Sequence, residues 1–124
     1  MPESVSRLQI AERRANGVTI LVLTGEILLD DGDLAFRKKV HEVLDRGDLN
    51  ILVDLAGVTY IDSSGVGMIV AKLKTVTDKG GRMKLLHLTR RSQRLLALMK
   101  LSLVFETFDD EALGVRSFSW NAGK

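Results

Sequence analysis

Residues 49 to 55 read Leu-Asn-Ile-Leu-Val-Asp-Leu, apolar at successive positions apart from Asn50 and Asp54. A run of this kind marks a strand covered on both faces, which requires other layers of structure above and below it. From Val66 the apolar period changes. Val66, Ile69, Val70, Leu73 and Val76 have helical spacing, and Gly80-Gly81 ends the segment. A doubly covered strand that feeds an amphipathic helix constrains the chain to a layered α/β architecture.

The same alternation recurs on both sides of this unit. Leu8 and Ile10 flank Gln9, the pattern of a half-buried strand, with the charged Glu12 in phase. Asn16-Gly17 suits a tight hairpin turn because both residues tolerate positive φ. Val18 to Leu23 is the returning strand, Thr24-Gly25-Glu26 breaks it, and residues 27–32 form an acidic loop with Asp30 and Asp31. Asp33 is placed to cap a helix with Phe36, Val40, Val43 and Leu44 on one face, stopped by Gly47.

After the central unit, Met83 to Leu88 predicts a further strand. Thr89 is placed to cap a third helix in which Leu95, Leu98 and Met99 share a face with Leu96 at its edge. Val104 to Phe108 predicts a short last strand, and Asp109 a cap for a final turn through Ala112 and Leu113. The predicted order is β-β-α-β-α-β-α-β, closed by a short helix. It describes one α/β domain, a mixed and mostly parallel sheet with an N-terminal antiparallel hairpin and three to four helices. Residues 8–113 make the domain, and residues 1–7 and 116–124, with Trp120, are expected to be flexible tails.

Composition limits the function. With 124 residues, 45% of them apolar, there is material for one core. Eighteen Lys and Arg against sixteen Asp and Glu leave a net charge of only +2, with no basic run and no aromatic–basic interleaving, so a direct nucleic-acid role is not expected. No apolar run approaches the roughly 20 residues of a membrane span, and no membrane partner is expected. The absence of cysteine rules out disulfides and thiolate metal sites and fits a cytoplasmic protein.

The handover from strand to helix carries the chemistry: Gly57-Val58-Thr59-Tyr60-Ile61-Asp62-Ser63-Ser64-Gly65-Val66-Gly67. A serine there is a good N-cap, since its hydroxyl accepts from the free N–H groups of the first turn. Gly65 and Gly67, by contrast, each cost roughly 1 kcal/mol relative to alanine within a helix. Such a local contradiction marks a tightly packed or a functional place. Two readings follow: the glycines let the helix sit close on the sheet, or they open the turn so that another protein reaches the Ser63 hydroxyl.

The segment from Val53 to Gly67 resembles the signature of STAS domains, specifically bacterial anti-sigma factor antagonists. Leu23-Thr24-Gly25-Glu26-Ile27, Lys79 to Leu85, and Ser92 to Leu103 followed by Phe105 to Asp109 extend the likeness over residues 8–113. The resemblance implies a switch protein that binds an anti-sigma factor, commonly a serine kinase using ATP, and so frees a sigma factor for transcription. It implies that Ser63 is the phosphorylated residue, that a PP2C-type phosphatase reverses the modification, and that Asp62, Ser63, Ser64, Gly65 and Gly67 meet the partner. Asp62 would orient the Ser63 hydroxyl or touch the partner; the alternative is a loop acid satisfying backbone N–H groups. In many members an aspartate follows the Gly-Glu-Ile/Leu step, and here Leu28 stands there, with Leu29 behind it.

Other functions find less support in the residues. A Ser-His-Asp hydrolase would need His41 or His87 beside Ser63, and no Gly-x-Ser-x-Gly elbow is present. His41 is expected to be exposed and His87 to be packed. Asp54 reads as a strand-end acid bonded to the next loop, and Arg90, Arg91 and Arg94 as a solvated face. No catalytic residue, cofactor or metal is expected, and the chain is expected as a monomer or weak dimer. A non-switching STAS scaffold, or a subunit of a signalling or transport complex, is the alternative role.

Overall fold

A computed structural model describes residues 7–28 and 31–119. The expectations for residues 1–6, for Leu29 and Asp30, and for the tail beyond Ser119 with Trp120 lie outside the described residues, as do the side chains of Asp31 and Asp33. The described chain forms β1 (Leu8–Ala15), β2 (Val18–Ile27), α1 (Asp31–Asp45), β3 (Asn50–Ile61), α2 (Ser63–Asp78), β4 (Arg82–Leu86), α3 (Arg90–Leu98), β5 (Thr107–Phe108) and α4 (Glu111–Ser117). The five strands lie in the order β1-β2-β3-β4-β5. β1 is antiparallel to β2, and every other neighbouring pair is parallel.

The local signals explain much of this. Asn16 and Gly17 adopt φ of 50° and 79°, the mirror-image turn whose twist suits a two-residue hairpin. Gly47, at φ 89°, turns the chain after α1, and the N–H of Asp48 returns to the Val43 carbonyl at 3.2 Å. Glu12 follows the phase of Leu8 and Ile10 because α1 and the residue after it bring cations there. Arg46 grips its carboxylate, and Lys39 lies 3.8 Å away.

Thr24-Gly25-Glu26 does not end β2. The strand continues to Ile27, with register shifts at Val22/Thr24 and Gly25/Glu26 that absorb the irregularity as bulges. Gly25 takes a φ of 110°, and a Cβ there would lie 2.0 Å from the Arg7 carbonyl oxygen. That carbonyl accepts the Glu26 N–H at 3.0 Å, so the bulged strand keeps its hydrogen bonding. α1 begins at Asp31, which places Asp33 inside the first turn rather than before it.

One face of the sheet holds most of the core. Leu21, Leu23, Ile51, Val53, Leu55 and Leu85 pack with Phe36, Val40 and Val43 of α1, with Val66, Ile69 and Val76 of α2, and with Leu96 of α3. On the other face Val18, Ile20, Leu52 and Leu86 pack with Val115 of α4 and with Phe118. β3 is therefore covered on both sides, as its apolar run predicts. Arg116 to Phe118, assigned to a tail on sequence grounds, form the end of α4 and its cap, with Ser117 fully buried and Phe118 3% exposed.

Three further boundaries differ from the pattern-based expectation. Thr89 caps α3 as expected, but the helix buries Ser92 and Leu96 while Leu98 is 72% exposed, so the apolar face is rotated. β5 contains only Thr107 and Phe108, because the chain turns at Val104, whose N–H bonds the Leu101 carbonyl at 2.9 Å. Asp110, not Asp109, caps α4, accepting the Leu113 N–H at 3.0 Å.

Candidate functional site

β3 does not stop at Leu55 but runs on to Ile61 beside the bulged end of β2. Ile27 pairs with Ile61, so Leu28 leaves the sheet next to the point where Asp62 leaves it. Leu28 is half-buried at this edge of the site.

Asp62 is the N-cap of α2. Its backbone is extended, at φ −110° and ψ −178°, and its Oδ1 accepts the Gly65 N–H at 2.8 Å. Its own carbonyl accepts the Val66 N–H at 3.0 Å and opens the helical ladder. The serine cap expected on sequence grounds is therefore corrected, and Asp62 has the backbone-satisfying bond that was the alternative reading of it. The carboxylate satisfies the backbone of the first turn, and Ser63 and Ser64 lie one and two residues inside the helix. An aspartate competes well for this place because its charge also suits the positive end of the helix.

Both serines are exposed. The first turn of α2 contains no acid, and no imidazole bonds Ser63 among the described residues. His41 instead meets the Lys72 ammonium at 3.2 Å, and His87 Nδ1 lies 3.1 Å from Asp54 Oδ1. Asp54 sits in mid-strand, not at a strand end, and also accepts the Ala56 N–H at 3.0 Å. Among the described residues no histidine lies against the exposed Ser63 hydroxyl.

The two glycines divide the roles that sequence left undecided. A Cβ on Gly65 would lie 2.6 Å from the Ile27 carbonyl oxygen and 3.0 Å from Ile61 Cγ1, so Gly65 is the close-packing residue. A Cβ on Gly67 would meet nothing within 4 Å, and Gly67 is exposed. Its missing side chain leaves the helix surface low just beyond the serines.

Two side chains at this site were not singled out as functional from sequence. Tyr60 is 39% exposed on the last turn of β3, and the Arg91 guanidinium lies 4.2 Å from its ring centroid. Arg91 Nε donates to the Ile61 carbonyl at 2.7 Å. Arg91 is therefore pinned at the end of β3 rather than forming part of a freely solvated face. The sequence signal was a cation placed where the dipole of α3 disfavours it.

Ser63, Ser64, Gly65 and Gly67 thus gather at one helix start capped by Asp62, with Leu28 and the Tyr60–Arg91 pair at the ends of the strands that lead to it. The STAS domain model matches residues 9–113. An anti-sigma F factor antagonist of Paenibacillus polymyxa is 30% identical over 105 residues, covering 84% of this chain and 89% of that protein. The crystal structure of an anti-sigma factor antagonist from Mycobacterium paratuberculosis superposes with a TM-score of 0.78 at 16% identity, covering 90% of this chain and 93% of that one. The phosphorylated form of the Bacillus cell fate determinant SpoIIAA superposes at 0.67 with 19% identity, covering 89% and 98%. By sequence match and by fold, the chain belongs to the STAS domain family.

Proposed function

We propose that this chain is an anti-sigma factor antagonist, docking on an anti-sigma factor through the start of α2 and switched off by phosphorylation of Ser63. The observation that carries the reading is the exposed Ser63 in the first turn of a helix whose cap, Asp62, is already engaged with Gly65. The modification needs no rearrangement of the fold. A phosphate adds about −1.5 to −2 charges, and the helix end offers on the order of 1 kcal/mol of compensation.

Docking responds differently. A 100-fold loss of affinity requires about 2.7 kcal/mol, and desolvating a doubly charged group in an interface that fits a neutral serine exceeds that. The switch lies in surface charge rather than in shape. The anti-sigma factor is in this reading a kinase that uses ATP, and a PP2C-type phosphatase restores Ser63. Sigma-dependent transcription is regulated through these contacts, and the chain performs no chemistry itself. The anti-sigma factor antagonist SpoIIAA, with the same fold and solved in both unphosphorylated and phosphorylated forms, supports the reading.

The intact mass of the protein from its native host tests it. A phosphate-sized increment that vanishes in Ser63→Ala is expected. Its absence under every growth condition would overturn the switch.

A further inference from the structure

The Tyr60–Arg91 pair carries an inference that rests on the reading of Ser63 as a phosphorylation site and adds a residue to it. Arg91 spends only its Nε–H on the protein, in the 2.7 Å bond to the Ile61 carbonyl. Its two Nη groups have no hydrogen-bond partner among the described residues, and its planar face rests on Tyr60 at 4.2 Å. A guanidinium held in this way is pre-organised. Its position is fixed by one bond and one ring, while a fork of donors remains unspent.

Ile61 precedes Ser63 by two residues, so its carbonyl lies within about 7 Å of the serine Cα, and Arg91 Nε stands 2.7 Å from that carbonyl oxygen, within about 10 Å in all. A phosphoserine side chain and the Nη arms together bridge such a gap. The carboxylate adjacent to Ser63 in the chain, Asp62, accepts the Gly65 N–H and has no bond to Arg91. Arg91 thus stands at the strand end that leads into the modification site, and among the described residues no acid bonds its Nη donors.

We propose that Arg91 is the internal receptor for a phosphate on Ser63: its Nη groups donate to the phosphate oxygens while Nε stays on the Ile61 carbonyl and Tyr60 supports the plane. Arg–phosphate pairing of this kind is directional and bidentate, which a flexible lysine does not reproduce. The consequence is regulatory. The pair holds the phosphate in one place over the docking surface, and it is a positioning device that leaves unphosphorylated Ser63 untouched.

The experiment uses the full chain with phosphoserine installed at position 63 through an expanded genetic code, so it does not depend on whether the native host modifies Ser63. In a 31P NMR titration the second ionisation of the phosphoserine is expected about half a unit or more below its ordinary value near 6. It should return to about 6 in Arg91→Ala, with Arg91→Lys between the two. The Arg91 Nε–H resonance of the otherwise unaltered chain, compared with and without phosphate at residue 63, gives a readout that needs no substitution at Arg91. A shift of that resonance is expected. Identical titration in the parent and Arg91→Ala chains, or an Arg91 signal blind to the phosphate, would overturn the proposal. Either result leaves the native-host mass measurement to decide on Ser63 separately.

Discussion

The Asp62 carboxylate accepts the Gly65 N–H at 2.8 Å, and this bond sets where α2 begins. Because the same aspartate immediately precedes the exposed Ser63, capping and signalling occupy adjacent residues. Replacing Asp62 with alanine is expected to cost about 1 kcal/mol, read by urea denaturation, while Asp62→Ser should stay within a few tenths of the parent. An equal loss in both variants would mean that charge, not the cap, carries the effect.

Gly65 and Gly67 should respond in opposite senses to the same methyl group. Gly65→Ala drives a Cβ against the Ile27 carbonyl, which is backbone and yields little, and a loss of about 1–3 kcal/mol is expected. Gly67→Ala enters open space on a helix, and a gain of about 0.5–1 kcal/mol is expected. Partner affinity should fall in the Gly67 variant even as stability rises. Thermal unfolding of the two proteins side by side checks the first contrast, and titration of the anti-sigma factor checks the second.

That contrast marks a boundary of what the chain reveals as text. Asn16-Gly17, Gly47 and Thr89 act on their own few residues, so turn, stop and cap were legible. The doubly buried β3 was legible because a continuous apolar run has few other uses. Gly65 and Gly67 look alike in sequence; what separates them is Ile27, which arrives from another strand. The cap passed from serine to Asp62 through a competition among three adjacent hydrogen-bonding side chains, a difference of one residue. At Gly25 the break signal was real, but the Arg7 carbonyl kept the strand paired through it. Leu98 and Phe118 were misjudged because exposure there depends on the rotation of α3 and on a sheet face that only α4 covers. Tyr60 and Arg91 come from different elements, and no linear motif joins them.

The anchoring of β1 on α1 should be sensitive to acid. The guanidinium of Arg46, hydrogen-bonded to Glu12, holds that carboxyl below its ordinary value of 4.5, and Lys39 and Arg14 add to the effect. A carboxyl lowered in the folded state contributes stability above its unfolded value, and that contribution is lost as pH falls through the folded value. Glu12→Gln is thus expected to be less stable than the parent at neutral pH, and the gap should close as pH falls below 4.5 and through the folded value. Denaturation midpoints across that range supply the check. A gap independent of pH would assign the loss to packing instead.

The C-terminal segment is expected to be structural. Lys84 is 2% exposed, donates to Ser117 Oγ at 3.0 Å and to the Ser117 carbonyl at 3.2 Å, and faces the Phe118 ring at 4.6 Å. A chain ending at Val115 leaves that ammonium with Glu106 and the Phe108 ring on a half-uncovered face. A loss of about 3–5 kcal/mol is expected, since a buried charge loses both Ser117 bonds and the Phe118 ring. Urea unfolding of the truncated chain measures it, and unchanged stability would restore the description of this segment as a dispensable tail.

The central claim is that the charge on Ser63 decides docking. Its most direct test is the affinity of the native anti-sigma factor for three proteins, with serine, alanine or phosphoserine at position 63, measured by calorimetry at one ionic strength. Serine and alanine are expected to bind within a few-fold of one another, and phosphoserine at least about 100-fold more weakly, a difference of about 2.7 kcal/mol. Equal affinity for the serine and phosphoserine proteins, with all three folded, would contradict the account.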